Sequence, residues 1–104
     1  MAANRLARNV RVGATLYEVK RSGEPDGEHR WAETSFVHRE IRFSVLCDEL
    51  EVPNTFLHEL IHAISEDRGM GMSEDSTKTL ANGLTAVLQD LGWMPTRLKL
   101  ADDP

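Results

Sequence analysis

The stretch PNTFLHELIHAISED, residues 53–67, decides how the rest of this chain is read. Leu57, Leu60, Ile61 and Ile64 recur at helical spacing, Pro53 suits a first helical turn and Gly69 suits the position just past the end, so the spacing predicts a helix. On that helix His58 and His62, four residues apart, stack on one face a turn from each other and can offer two imidazole nitrogens to one metal ion. The apolar stripe beside them sets the imidazoles at the border of a core, where clefts form. Zinc suits such donors, because it takes neutral imidazole, holds four ligands tetrahedrally and, in catalytic sites, leaves one position for water. Glu59 follows the first His, where a carboxylate can accept a proton from a water activated nearby without binding the ion itself. A helix carrying two His and a Glu also occurs as a plain solvated face, so the pattern needs support from elsewhere in the chain.

A second helix follows directly. Ser73 is a good N-cap, and Thr77, Leu80, Ala81, Leu84, Val87, Leu88 and Leu91 keep the i, i+3, i+4, i+7 pattern through four turns until Gly92. The link Gly69-Met70-Gly71-Met72 is short enough to make the two helices neighbours, and the second stripe is expected to pack against the first. Two His do not complete a catalytic zinc site, so a third ligand must come from another position. Glu66 lies about 12 Å along the helix axis from His58, too far to share an ion with both His. His29 and His38 have no spacing that argues for them. Glu74 falls one turn before Thr77 on the apolar stripe, facing the first helix, whereas Asp75 aligns with the polar Lys78, Thr79 and Asn82. An acid on an apolar stripe needs a partner. A metal is one such partner. The helix N-terminus together with Lys78 at i+4 is another, so both readings of Glu74 stand at this point.

Composition narrows the class. A chain of 104 residues with 40% apolar and 28% charged content is expected to form a single folded domain spanning residues 1–104. The formal charge of −5 gives no global field toward nucleic acid, and Arg5, Arg8 and Arg11 read as a solvated flank. One cysteine, Cys47, excludes an intrachain disulfide and reads as a small core residue. Without an apolar leader or a run of about 20 apolar residues, no membrane partner is expected and the cytoplasm is the expected location.

Upstream of the helices, alternation from Val10 to Val19 predicts one half-buried strand, and the polar, turn-rich residues 21–30 predict a loop. Trp31 to Val37 and Glu40 to Leu46 read as a strand pair turning near His38 and Arg39. The tail beyond Trp93 and Pro95 is expected to fray. The fold class is therefore α+β: a small antiparallel sheet, then the helix with the His pair, then a second packed helix.

With His58, Glu59, His62 and Glu74 in place, the chain resembles the gluzincin-type zinc metallopeptidases. It is most similar to small metallopeptidases encoded by phages and prophages, with a minimal zincin-like domain. The matching letters are His58 to Ala63, Ser73 to Asp75 and Leu80-Ala81-Asn82-Gly83-Leu84, over roughly the last two-thirds of the chain. The resemblance implies Zn2+ on His58, His62 and Glu74, Glu59 as general base, and a peptide or protein substrate hydrolysed by a metallopeptidase. Two departures stand out. Lys78 occupies the position where larger gluzincins carry an Asp, and Ser65 and Arg68 replace the Gly and third His of the metzincin extension. Tyr17 and His38 are candidates for a group that stabilises the transition state. The rival reading is a zinc-stabilised protein-binding module without catalytic activity, in which Glu59 would be dispensable.

Overall fold

The most deeply buried strand lies inside the sheet. The computed structural model describes residues 4–22 and 31–104. It contains β1 (Asn9–Val12), β2 (Thr15–Arg21), β3 (Ala32–Ser35), β4 (Glu40–Phe43), α1 (Val52–Arg68) and α2 (Glu74–Asp90). Ile41 and Phe43 of β4 are fully buried, whereas β1 and β3 carry polar residues such as Asn9, Arg11, Glu33 and Ser35. The most apolar strand takes a central place and the polar ones take the edges, giving the order β1-β2-β4-β3. β4 consequently runs parallel to β2 and antiparallel to β3. The sheet is thus mixed, not antiparallel throughout as the sequence led us to expect. The β3–β4 pair itself forms as read, with its turn at residues 36–39 and Arg39 at φ +56°.

The single strand expected over Val10 to Val19 is instead a hairpin. Val12 pairs with Thr15, leaving Gly13 and Ala14 as a two-residue turn with Gly13 at φ +61°. Glycine at the first turn position is what a type II′ connection requires. Arg21 is the last residue of β2, so the expected loop begins later, and most of it lies outside the described residues.

One face of the sheet forms the core with α1. Val12, Tyr17, Val19, Ala32, Ile41 and Phe43 meet Val52, Phe56, Leu60 and Ala63, and the Phe43 and Phe56 rings stack with centroids 6.3 Å apart. Each large apolar side chain buried there contributes roughly 1.5–3 kcal/mol. Pro53 sits in the first turn of α1, and Gly69 ends the helix in the left-handed conformation at φ +64°. Cys47 is buried in this core, as read.

The C-terminal tail does not fray. Leu98 and Leu100 are buried in the core, and backbone hydrogen bonds tie Leu6 to Lys99 and Leu98 to Glu49. Arg21 grips Asp103 through two bonds of 3.0 and 2.8 Å and also donates to the carbonyls of Ser44 and Cys47. Arg5 donates to the carbonyls of Leu100 and Asp103, and Arg8 pairs with Asp102 at 2.7 Å. Two of the N-terminal arginines therefore hold the tail in place and are not a free flank. A short charged end looks frayed only while its partners, about 80 to 95 residues away in sequence, are unknown.

α2 is the outlying element. It packs on α1, but through Thr77, Ala81 and Thr85 and not through its leucine stripe. Small side chains let the helix axes approach, and the hydrogen bonds Asn54 to Asn82 (2.8 Å) and Thr85 to Asn54 (3.2 Å) fix the rotation. Leu80, Leu84, Val87 and Leu91 are turned to solvent, contrary to the expected packing.

Two stability predictions follow from these contacts. A Cβ on Gly13 would collide with the Asp67 carboxylate while forcing a side chain into positive φ. Gly13→Ala should therefore lower stability by about 1–3 kcal/mol, read as a lower urea midpoint at unchanged slope. Asp103 is held below its ordinary pKa, chiefly by the Arg21 hydrogen bond. A depressed acid contributes stability that is complete above its unfolded-state pKa and is lost as pH falls through the folded value. Asp103→Asn should accordingly lower the melting temperature at neutral pH, with the gap to the parent closing in acid, below about pH 4.

Candidate metal centre

Three elements converge on one cleft. α1 carries His58, Glu59 and His62, α2 begins with Glu74, and β3 forms the far wall as an edge strand. The cleft has a volume of about 690 Å³, and its lining includes Trp31, Thr34, Phe36, Thr55 and Lys78 with those four residues.

The reversal between the helices is built locally. Gly69 and Gly71 both take positive φ, and the Ser65 hydroxyl, buried on α1, accepts from the Met72 amide at 3.0 Å. Ser73 then caps α2 by accepting from the Ser76 amide, while the Thr77 hydroxyl donates to the Ser73 carbonyl. These bonds return the first turn of α2 over the middle of α1. Glu74 meets the His pair there, and Asp75 is exposed outside the group.

His58 Nε2 and His62 Nε2 lie 3.1 Å apart, with Glu74 Oε1 at 2.5 Å from the first and 3.2 Å from the second. A tetrahedral ion with bonds of about 2.05 Å has ligand-to-ligand edges of about 3.3 Å, so two edges of this triangle fit closely and the third is tighter. Two imidazoles and one carboxylate are also a donor set that first-row divalent metals accept. Burial acts to raise the Glu74 carboxyl, but the neighbouring imidazoles outweigh it and hold the group below its ordinary value. Glu74 is thereby kept ionised, the form in which a carboxylate ligates.

Glu59 is in a different environment. It is only 6% exposed, and the Thr34 hydroxyl donates to its Oε1 at 2.7 Å. Burial pushes its carboxyl upward, and the Thr34 bond and the two imidazoles offset part of that. Two acids at one site are thus moved in opposite directions, the pattern by which a proton carrier is separated from a fixed anion.

Thr34 was not identified from the sequence. It lies on another element 25 residues upstream, and no spacing rule connects a strand hydroxyl to a helix acid. The only signal was that a buried Glu needs a donor. Lys78, a departure from the gluzincin pattern, lies on the cleft wall. Of the other candidates, Tyr17 is buried in the core, its hydroxyl pKa raised by burial and by Glu66 and Asp67, and does not line the cleft. His38 is exposed in the β3–β4 turn and does not line it either. His29 lies outside the described residues. Glu66 is not part of the donor group.

Comparison with known proteins found no matching family model, curated protein or solved structure.

The geometry ranks the two neighbouring acids. Glu74→Ala should weaken divalent metal binding by more than 100-fold, because it removes one of three donors, whereas Asp75→Ala should change it by less than a few-fold. Competition titration against a chelating dye measures both. The reverse ranking would place α2 in a different rotation.

Proposed function

We propose that this chain is a zinc-dependent peptidase whose ligands are His58, His62 and Glu74 and whose general base is Glu59. The observation that carries this reading is the pairing of three convergent donors with a buried, hydrogen-bonded Glu59 in the same cleft. Zinc is preferred among the divalent metals because two imidazoles and a carboxylate leave a fourth tetrahedral position open, as its catalytic sites do. Bound there, it would supply a Lewis acid that polarises a carbonyl and makes water acidic.

The residues divide the remaining work. Glu59 accepts the proton of the attacking water and returns it to the leaving amine, and its raised pKa brings it toward the pH at which such transfer is efficient. Thr34 holds the Glu59 carboxyl by its Oε1, limiting the rotamers it can adopt. Lys78 is the one cationic side chain on the cleft wall among the described residues, and it is available to the oxyanion of the tetrahedral species. β3 is an edge strand beside the cleft, so an extended peptide can add to it, with Trp31 and Phe36 offering apolar contact to its side chains.

A second reading has an observation in its favour. The α1–α2 interface is made of small and polar residues, and an ion on His58, His62 and Glu74 would cross-link the two helices. In that case the site would serve stability and partner binding alone.

Glu59→Gln separates the two. The substitution keeps the size of the side chain and removes its basicity, so cleavage of a peptide library should fall by about a hundred- to ten-thousand-fold with zinc content unchanged. Cleavage at the parent rate by a zinc-loaded variant would remove Glu59 as base. A parent that holds one zinc and cleaves nothing would support the structural role.

A further inference from the structure

The exposed stripe of α2 belongs to a larger surface. At 100° per residue, Leu80, Leu84, Val87 and Leu91 centre roughly 130° around α2 from Glu74 and Lys78, which face the cleft. On α1, Ile64 lies on the flank roughly 130° or more from the His58–His62 face. Because the helices run antiparallel, these rotations carry both sets to the same side, the back of the helix pair, away from the metal ligands. Leu80 is 43% exposed, Leu84 37%, Val87 54%, Leu91 53% and Ile64 44%, and none of the five lines the cleft. Along α2 the spacing of 4, 3 and 4 residues is that of a helix-packing seam.

We propose that the back of the α1–α2 pair is a homodimer interface, occupied by the same face of a second copy. Two observations select a second copy. The first is composition: the five central side chains are all apolar, so the face offers no charge for a strongly charged partner and matches itself. The second is size. With large side chains burying 150–250 Å² each when aromatic and somewhat less when aliphatic, the exposed fractions amount to about 400 Å² of apolar surface. At the usual apolar share of an interface this corresponds to ~1,300 Å² across two copies, within the range of specific association.

A twofold axis lying in the plane of this face pairs the two helices of one copy with those of its mate. Both clefts, on the opposite side of each helix pair, are left open in the resulting four-helix bundle.

Sedimentation velocity on the full chain, from micromolar to millimolar concentration, tests the interface. The 11.7 kDa chain should show a concentration-dependent shift toward a species of twice that mass and no larger one. Val87→Glu and, independently, Leu91→Lys should each weaken association at least tenfold; both positions are more than half exposed, and unchanged circular dichroism would show that the fold is kept. A chain that stays monomeric at millimolar concentration, or association indifferent to Val87→Glu and to Leu91→Lys, would each overturn the proposal. The first of these outcomes would assign the face to a different protein.

Discussion

α1 has to satisfy three neighbours at once, and the rest of the structure follows from how it does so. Its Val52, Phe56, Leu60 and Ala63 side fills the sheet. Its Asn54, His58 and His62 side meets α2 and the cleft. Glu59 stands between these two sides, buried against β3. A buried carboxylate with no partner would cost several kcal/mol, and Thr34, reaching Glu59 from the edge strand, offsets part of that cost together with the two imidazoles. Pairing with β4 sets where β3 runs, and the Thr34 bond joins that edge strand to the helix carrying the imidazoles. The sheet thus bears on the site through Glu59, although no strand supplies one of the three convergent donors.

Legibility followed the range of the interaction. The two helices, the Ser73 cap and the Gly69 stop are set by contacts within a few residues, and periodicity exposes them; the placing of Glu74 ahead of Asp75 rests on Thr77, which does face α1, although the leucines of the same stripe do not. The strand order was hidden because it depends on which strand is most apolar overall, a comparison that no local window makes. The hairpin at Gly13 could have been read from a glycine interrupting the alternation, yet the pattern continues through the turn and masked it. The tail was misread for the opposite reason: its residues look like an end, and only the distant Arg5, Arg8 and Arg21 turn them into a docked segment.

The error over the α2 stripe has its own physical source. A helix with apolar residues over so wide an arc has two ways to face its neighbour, and hydrophobicity alone favours the leucines. Close approach of the axes and the Asn54–Asn82–Thr85 bonds favour the small residues, and the structure follows them. That choice also aligns Glu74 with the His pair. Had α2 turned its leucines inward by roughly 100°, the carboxylate would have swung away from the imidazoles. The exposed leucines and the assembled donors are two results of one rotation.

Cys47 lies under Arg21 and the start of α1, 1% exposed, with burial pushing its thiol up to about 11. At neutral pH it is therefore both hidden and protonated, two independent reasons for a thiol reagent to leave the native chain alone. Because the chain has no other cysteine, alkylation has a single possible address. The rate at which a maleimide or disulfide reagent consumes it becomes a clock for opening of the core, readable by mass alone, in dilute solution or in a crude extract, without any assay of what the protein does.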